Sequence, residues 1–422
     1  MLLIKGGQVM GATAQTADVL IQNGKIAEIS GSIKETGDME TIEAAGLIVA
    51  PGLVDMHVHF REPGYEYKED IMTGAAAAAA GGVTTCCCMP NTSPVADCVD
   101  VVTKIIEKAA PAPVRVIPYG AVTKGQKGEE LTDFVALKVV GAAALSDDGN
   151  PIQSAEVARS AMRLASEYGI LIISHCEDSA LVKNHAVNEG KVSRSLGLPG
   201  RPAIAEEIMV ARDAMLAAET GARVHIAHVS TAGSVEIIRK AKAAGVRITA
   251  ETCPQYFILT EDEVINRGAL ARVNPPLRTQ DDALAIIAGL ADGTIDAIAT
   301  DHAPHSDEEK ARPITEALSG MIGLETSLAL TLTFLYHTGK LDMSGVIALM
   351  SENPARILGV DAGSIAVGKT ADIVIFDPDE QWTVRPEEFK SKARNTPFAG
   401  MDLRGRVLYT ISRGKIVYSP KP

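Results

Sequence analysis

Residues 55–64, with the sequence Asp-Met-His-Val-His-Phe-Arg-Glu-Pro-Gly, place two imidazoles directly after an apolar run. Side chains alternate between the two faces of a strand, so we expect Asp55, His57 and His59 on one face. Two imidazoles at the end of a strand can bind one metal ion, and Arg61 follows where a guanidinium could hold a substrate carboxylate. A bare His-x-His pair is more often two buried, hydrogen-bonded histidines, so the metal interpretation depends on ligands elsewhere in the chain.

Further metal-binding side chains follow later apolar runs. They are Asp147 and Asp148, His175, His225 and His228, and Asp301, His302 and His305. Imidazole and carboxylate ligands without thiolates suit zinc, with manganese or cobalt as alternatives. Four histidines and two aspartates are more ligands than one tetrahedral ion can use. They fit two ions that share a bridging carboxylate and a bridging hydroxide. Such a centre predicts hydrolysis of an amide-like or ester-like bond, in which Asp301 is the best candidate to move the proton.

Eight strand-like runs alternate with helical patterns through the middle of the chain. The strands are predicted near residues 54–59, 83–88, 114–119, 142–146, 170–175, 223–228, 246–252 and 295–301, and helices near 96–109, 154–168, 205–220 and 234–244. Eight β/α units favour an α/β fold with a closed (β/α)8, TIM-like barrel, whose chemistry lies at the carboxyl ends of the strands. A doubly wound open sheet is the weaker alternative, because no glycine-rich turn follows the first strand. We predict the barrel over 51–358 and a small β-sandwich domain formed by 1–50 and 359–422.

The amino-acid composition and net charge limit the kinds of molecule that the protein is expected to bind. The chain has 422 residues, with 40 Lys+Arg against 53 Asp+Glu and a net charge of −13. An acidic chain disfavours binding to nucleic acid or to an anionic membrane surface. No apolar run reaches spanning length and the amino terminus lacks a basic leader, so we expect a cytoplasmic protein. The six cysteines form no Cys-x-x-Cys pair and are predicted to be small buried thiols in a reducing compartment.

Several motifs, spread from end to end of the chain, resemble the dihydroorotases of the amidohydrolase superfamily. They are residues 55–64, 89–92, 145–149, 271–278, 301–305 and 395–398, while 363–372 resembles the returning β segment of the superfamily. Allantoinases, hydantoinases and one dihydroorotase type bridge their metals with a carboxylated lysine at the fourth strand. Here that strand end has no lysine, since Lys138 lies earlier on a predicted helix. The chain therefore resembles the bacterial type I dihydroorotases, in which an aspartate bridges.

The resemblance implies a role for each matched residue. One zinc ion would be held by His57, His59 and Asp301, the other by His175 and His228, with Asp148 and a hydroxide bridging the two. Strand parity alone leaves Asp147 and Asp148 open, and the family alignment selects Asp148. The substrate carboxylate would be held by Arg61, Asn91 and His305, and the ring contacted by Asn274 and the Ser319-Gly320 backbone. The family often has Phe-Gly at this last position, so a backbone contact survives here but ring packing does not.

The activity implied by the resemblance is zinc-dependent interconversion of N-carbamoyl-L-aspartate with (S)-dihydroorotate and water, a step of de novo pyrimidine (UMP) biosynthesis. Asp301 would be the general base and acid. One alternative is another cyclic-amide hydrolase, acting on hydantoins or allantoin. A second is a non-catalytic relative that scaffolds aspartate transcarbamoylase, although such relatives have lost metal ligands and all six are present here. The family also suggests a homodimer, and association with aspartate transcarbamoylase is a further hypothesis.

The remaining polar residues near these motifs receive structural interpretations. His225 is one residue out of phase with His228 and should face away from the barrel centre by the strand period. His302 is predicted to support a loop, and Asp55 to orient the ligands. His185 and His337 lie in no motif and are predicted to be surface or core residues.

Overall fold

The computed structural model describes residues 1–11, 14–37, 39–183 and 185–419. Strands β1 to β18 are, in chain order, Leu2–Met10, Ala14–Gln22, Lys25–Ser30, Glu40–Glu43, Ile48–Pro51, Leu53–Val58, Val83–Cys88, Arg115–Pro118, Leu145–Ser146, Leu171–Ser174, Val187–Asn188, Gly200–Arg201, Arg223–Ile226, Ile248–Thr252, Ala297–Ile298, Ile373–Thr383, Asp402–Ser412 and Lys415–Tyr418. Helices α1 to α14 are Ile71–Ala80, Val99–Ala109, Phe134–Val140, Ala155–Tyr168, Lys191–Leu196, Ile204–Thr220, Ala232–Ala243, Pro254–Ile258, Glu263–Arg267, Gln280–Asp292, Asp307–Lys310, Ser327–Thr331, Met343–Ile347 and Asn353–Leu358. Short 3-10 turns lie at Lys124–Gln126, Gly268–Ala271 and Pro386–Glu388, and π-helical turns at Leu332–Tyr336 and Ala348–Glu352.

All eight predicted central strands are present, as β6 to β10 and β13 to β15. They pair in parallel in the orders β6-β7-β8 and β9-β10-β13-β14-β15. Isolated parallel bridges join Gly120, after β8, to Leu145 in β9, and Val58 in β6 to His302, after β15. Every residue of β6 and β7 is buried, as expected of parallel strands covered on both faces. The carboxyl ends of all eight strands therefore lie along one edge.

The helices between these strands confirm the predicted helical patterns, and local sequence explains where they begin and end. Helix α4 begins at Ser154, whose side chain accepts a hydrogen bond from Val157 N, and ends at Gly169 with a φ of 62°. A serine N-cap and a left-handed glycine C-cap satisfy orphan backbone groups at the two ends. Helix α1 packs against the end of β6, where a Cβ at Gly74 would lie 2.4 Å from Cδ1 of Phe60.

Both ends of the chain contribute to one antiparallel-rich sheet. Its order is β18-β17-β16-β5-β1-β2-β3, and β4 pairs with β1. Strands β2 and β3 form a hairpin through Asn23 and Gly24, whose φ values of 52° and 78° are those of the turn that an Asn-Gly pair favours. One face of this sheet encloses a separate apolar core that includes Ile4, Val19 and Ile375. Within the described ranges, no helix is long and apolar enough to cross a membrane.

Candidate metal centre and active site

Four histidines and two aspartates meet at the carboxyl edge of the central strands. His57 is in β6 and His59 follows it, and the other four residues follow β9, β10, β13 and β15; they are Asp148, His175, His228 and Asp301. All six are buried, at 7% exposure or less. Parallel strands bring their carboxyl ends to one edge, which explains how ligands spread over 245 positions of sequence come together.

Asp148 lies between two pairs of imidazoles. Its Oδ2 atom is 3.5 Å from Nε2 of His57 and 3.5 Å from Nε2 of His59. Its Oδ1 atom is 3.4 Å from Nδ1 of His175 and 3.4 Å from Nε2 of His228. Each carboxylate oxygen thus faces one histidine pair, which is the arrangement a carboxylate needs to bridge two cations.

Two orphaned polar atoms support the fit of this site to a metal. His57 Nε2 and Asp148 Oδ1 are buried without a hydrogen-bond partner. Leaving such atoms unpaired in the interior is costly, and a cation between them would satisfy both. Imidazole nitrogens and carboxylate oxygens, with no thiolate among them, are the donor set that suits zinc.

The neighbouring aspartate has a different environment. Asp147 accepts hydrogen bonds from the backbone nitrogens of Val122, at 2.8 Å, and Thr123, at 3.1 Å, and burial raises its pKa to about 6. Burial would also raise the pKa of Asp148, but the charge of His57 and the nearby imidazoles of His175 and His228 hold it well below its usual range. The structure therefore places Asp148 at the imidazoles and Asp147 in a loop-supporting role, a choice that strand parity left open because β9 ends at Ser146.

Asp301 faces the first-strand histidines. Its Oδ1 atom is 3.0 Å from Nε2 of His59 and 3.5 Å from Nε2 of His57. Its backbone φ is 48°, and His228 and Arg61 have φ values of 36° and 61°. Left-handed φ values are uncommon for residues other than glycine and concentrate at functional sites. Three of the predicted site residues share this feature.

Among the described residues, two groups of ligand atoms are compact enough to hold an ion, each with all atoms within 4.8 Å of one another. One group is His57, His59 and Asp301, which is the set predicted for the first ion. The other is His57, Asp148 and His228, whereas the sequence prediction paired His228 with His175. The Nδ1 atom of His175 still lies 2.7 Å from Nε2 of His228, so both of these imidazoles face Asp148 together.

Sequence reasoning missed Glu251. Its Oε1 atom accepts a hydrogen bond from Nδ1 of His57 at 2.7 Å, and its Oε2 atom is 3.3 Å from Nε2 of His225. Burial alone would raise the pKa of Glu251, but the nearby imidazoles of His225 and His57 lower it to about 2. The available signal was a carboxylate inside β14, a strand whose residues are otherwise apolar or hydroxylated and mostly buried.

The prediction that His225 faces away from the barrel centre is wrong. Its imidazole is fully buried and contacts Glu251, which in turn contacts His57. The error comes from extending the two-residue period to His228. Strand β13 ends at Ile226, and the φ of 36° at His228 breaks the alternation. His225 nevertheless lies outside both compact ligand groups.

One cavity, about 200 Å³ in volume, joins the candidate metal centre to the predicted substrate residues. It is lined by His59, Arg61, Asn91, Asp148, Gly149, His175, His228, Asn274, Asp301, Ala303, His305, Leu318, Ser319 and Gly320. Among the predicted metal and substrate residues, only His57 is absent from this lining, since it lies behind the others with no exposed surface. The cavity is large enough for a small cyclic amide.

Asn91 and Asn274 each contact a histidine of the centre. Asn91 Oδ1 is 3.0 Å from Nδ1 of His59, which leaves the Asn91 amide nitrogen as a donor in the cavity. Asn274 Nδ2 is 3.4 Å from Nε2 of His175, and its Oδ1 atom accepts a hydrogen bond from Arg201. Both residues can therefore orient a ligand histidine as well as contact a substrate.

The far side of the cavity is more constrained than the sequence suggested. His305 Nε2 donates to the carbonyl oxygen of Ser319 at 2.8 Å, and Gly320 N donates to the carbonyl oxygen of Arg272 at 2.9 Å. Burial, with the nearby charges of Arg61 and Lys68, lowers the pKa of His305 to about 3, so its imidazole is neutral. In this arrangement His305 and Gly320 hold the wall of the cavity together with N–H groups that were predicted to face substrate.

The other interpreted residues lie close to their predicted roles. Asp55 accepts from the backbone nitrogen of His57 at 3.0 Å and from Thr300, and His302 Nδ1 accepts from Gly323 N at 3.2 Å. Lys138 lies on a helix, α3, as predicted; it is exposed and donates to the carbonyl oxygen of Tyr168. Five of the six cysteines are buried as expected, but Cys98 is exposed because it forms the N-cap of α2 at the surface.

Comparison with known proteins shows which family this chain is similar to. A family model described as dihydro-orotase-like matches residues 46–234. The chain is 50% identical over 421 residues to a protein named dihydroorotase from Citrifermentans bemidjiense, covering 99% of each chain. A dihydroorotase from Acetivibrio thermocellus is 49% identical over 424 residues, covering 100% of this chain and 99% of the relative.

Solved structures with the same fold are cyclic-amide hydrolases. An L-hydantoinase from Arthrobacter aurescens superposes with a TM-score of 0.90 at 26% identity, covering 99% of this chain and 96% of its own. A dihydropyrimidinase from Brevibacillus agri gives a TM-score of 0.87 at 26% identity, covering 99% and 95%. Near 50% identity along the whole length is far closer to the dihydroorotases than to these hydantoinases. The chain belongs to the dihydroorotase family of metal-dependent cyclic amidohydrolases.

Proposed function

We propose that this protein catalyses the reversible cyclisation of N-carbamoyl-L-aspartate to (S)-dihydroorotate and water, in pyrimidine biosynthesis. The position of Asp148 is the main support for this proposal, because its two oxygens each face a separate histidine pair at 3.4–3.5 Å. A bridging aspartate is what the sequence resemblance implies for a type I dihydroorotase. The curated relatives near 50% identity carry that enzyme name.

We further propose that the centre holds two zinc ions. His57, His59 and Asp301 would hold one ion, His175 and His228 the other, and Asp148 both. When bound, a pair of divalent ions lowers the pKa of a water molecule towards neutrality and polarises a carbonyl group. The orphaned His57 Nε2 and Asp148 Oδ1 atoms support this assignment.

Within such a centre the chain's own residues bind the substrate and move the proton. Arg61 and the amide nitrogen of Asn91 would hold the substrate carboxylate, and Asn274 would contact the ring from the opposite wall of the cavity. In the hydrolytic direction Asp301 takes a proton from the attacking water and transfers it to the departing ring nitrogen. Its Oδ1 atom is 3.0 Å from His59, which orients the carboxylate over the centre. The synthetic direction reverses these transfers.

A hydantoin- or allantoin-cleaving activity is the principal rival, because the solved structures with this fold include hydantoinases. That class bridges its metals with a carboxylated lysine, by the resemblance. Here Lys138 is exposed and bonded to the Tyr168 carbonyl, and Asp148 lies where the bridge is needed. Arg61 in the cavity further supports a substrate that carries a carboxylate.

Several broader features belong to the same proposal. The isolated bridges at Gly120–Leu145 and Val58–His302 support closure of the eight central strands into a (β/α)8 barrel. We assign the barrel to 51–358 and a small β-sandwich domain to 1–50 with 359–422. Residues 12, 13, 38, 184 and 420–422 of these ranges lie outside the described residues. A cytoplasmic homodimer, and association with aspartate transcarbamoylase, remain hypotheses from the family resemblance.

The test is a comparison of substrates on zinc-loaded protein. Rates with dihydroorotate, N-carbamoyl-L-aspartate, hydantoin and allantoin would be measured under one set of conditions. We expect kcat/KM for dihydroorotate to exceed that for the uncharged rings by at least about 100-fold, because only dihydroorotate offers a carboxylate to Arg61. Preferential cleavage of hydantoin or allantoin would overturn the proposal, and absence of all turnover in zinc-loaded protein would favour the scaffold alternative.

A further inference from the structure

The motif at residues 395–398 has no part in the chemistry described above, yet Asn395 makes four hydrogen bonds at the edge of the active site. Its Oδ1 atom accepts from the backbone nitrogen of His305 at 3.1 Å. Its Nδ2 atom donates to the carbonyl oxygens of Ala303 and Gly320, both at 3.1 Å. Its own carbonyl oxygen accepts from Ile322 N at 3.0 Å. The side chain is 2% exposed, so these bonds are shielded from water.

These contacts join two loops that form one wall of the cavity. The first loop follows β15 and carries Ala303 and His305, and the second carries Ser319 and Gly320. The loops also contact each other directly through His305 Nε2 and the Ser319 carbonyl. Asn395 itself does not line the cavity. It therefore can act on a substrate only through the two loops.

The segment that carries Asn395 is anchored by two carboxylates. Glu325 accepts from Lys390 N at 2.8 Å, and Glu69 accepts from Lys392 N at 3.2 Å. The Ser391 hydroxyl also donates to Glu69, which is fully buried and lies 3.5 Å from Nε2 of His302. Residues 390–392 are thus fixed to elements next to the site, and they determine where Asn395 lies.

We propose that Asn395 is a positioning residue that sets the distance between the His305 loop and the Ser319-Gly320 loop and so controls substrate affinity. This inference rests on the proposed function, because the two loops form one wall of the cavity that would hold the substrate. The metal ligands and Asp301 make no hydrogen bond to Asn395 among the described contacts. Loss of its side-chain bonds should therefore shift the substrate wall and leave the metal centre in place.

The experiment uses the zinc-loaded full-length enzyme and three variants. Asn395→Ala removes all three side-chain bonds, and Asn395→Asp keeps the size and the acceptor for His305 N but removes both donors. The matched control is Thr396→Val, at a neighbouring buried residue whose hydroxyl accepts only from Phe398 N, at 3.2 Å, within the same segment. Zinc content, thermal midpoint, kcat and KM for dihydroorotate would be measured for each.

We expect both Asn395 variants to raise KM by roughly 10- to 100-fold, the scale on which small misplacements of substrate-positioning groups act, with kcat reduced less and zinc retained. Thr396→Val should keep the wild-type KM. Unchanged KM in folded Asn395→Asp would overturn the inference, even if Asn395→Ala failed to fold. Loss of zinc, a fall in kcat and a rise in KM that were shared by Thr396→Val would also overturn it, by indicating a general structural role. A wild-type enzyme without activity on dihydroorotate would instead contradict the proposed function.

Discussion

The Nδ1 atom of His57 lies 2.7 Å from Oε1 of Glu251, and both residues are fully buried. This bond fixes the imidazole so that Nε2 faces Asp148 and Asp301. A carboxylate behind a ligand histidine holds its tautomer and orientation and raises its basicity as a ligand. Glu251 does not line the cavity, and we infer that it supports the proposed metal centre from behind His57.

The first prediction concerns this carboxylate. Glu251→Gln should weaken zinc binding by roughly 10- to 100-fold, the usual cost of losing such a partner, because a neutral amide supports the His57 imidazole less well. Competition with a chelator would measure zinc affinity. Glu261→Gln is the control, since Glu261 is also buried but bonds to Asn188. Equal zinc affinity in the two variants would show that Glu251 has no special role.

The contrast between His57 and Glu251 shows which parts of the site can be predicted from the sequence and which cannot. Strand periodicity and chain order located the eight strands. Their carboxyl ends indicated the candidate ligand histidines and Asp301, because this topology brings such ends together. The role of Glu251 was not predicted because this residue lies within β14 rather than after it. A single sequence does not indicate which core carboxylate will bond to a buried imidazole. The direction of the His225 side chain was predicted wrongly, because the two-residue alternation of side chains holds only up to the end of the strand. The contacts of Asn395 depend on how distant loops pack, which no local pattern encodes.

The second prediction is the metal content. Fully loaded, active protein should contain two divalent ions per chain, because the two oxygens of Asp148 face separate histidine pairs. Elemental analysis and anomalous scattering would measure the number and positions. Removal by chelation should abolish turnover and lower the thermal midpoint, since bound ligands stabilise the folded state. A single ion in fully active protein would contradict the binuclear mechanism.

The third prediction tests the substrate anchor. Arg61→Ala should lower kcat/KM for dihydroorotate by roughly 10- to 100-fold, equivalent to ~1.5–3 kcal/mol for a lost charge-assisted bond. Zinc content should not change, because Arg61 lines the cavity and is bonded to the Pro304 carbonyl rather than to a ligand. Arg385→Ala, at an exposed arginine outside the cavity, is the control. If Arg61→Ala had wild-type kinetics, Arg61 would not bind the substrate and would have only a structural role.

The fourth prediction is a pH dependence of stability at Glu325. Burial raises the pKa of this carboxyl to about 7, against 4.5 in the unfolded chain, although backbone bonds from Lys390 and Ser391 oppose the shift. Between these values the folded state binds the extra proton, so the stabilising contribution is complete below about pH 4.5 and is lost as pH rises through 7. Relative to the wild type, Glu325→Gln should therefore gain thermal stability from pH 5 to pH 8.

Thermal midpoints of wild type and Glu325→Gln at several pH values would measure this difference. Both proteins share the same metal centre, so acid-induced loss of zinc cancels in the comparison. Glu388→Gln, at an exposed carboxylate, should show no such trend. A constant difference between wild type and Glu325→Gln across this range would mean that Glu325 is ionised throughout.

The last prediction separates the two roles assigned to Asp301. Asn is the right replacement, because it keeps the size and one oxygen and tolerates the left-handed backbone, here with a φ of 48°, better than most residues. Asp301→Asn removes the charge and the capacity to accept a proton. General acid–base contributions are typically about 10²–10⁴-fold, so kcat should fall on that scale while much of the zinc is retained.

Two comparisons make the interpretation of Asp301→Asn specific. His228→Ala should deplete zinc, because its imidazole faces the Asp148 carboxylate and no other role is assigned to it. Asp147→Asn should leave kcat close to the wild-type value, because Asp147 bonds to the Val122 and Thr123 backbone and not to an imidazole. If Asp301→Asn turned over at a near-normal rate with intact zinc, another group would have to move the proton. The cavity offers no second free carboxylate among its described lining residues, since Asp148 lies between the imidazoles. That outcome would therefore require proton transfer through solvent or through an imidazole such as His305, and it would remove the central step of the mechanism.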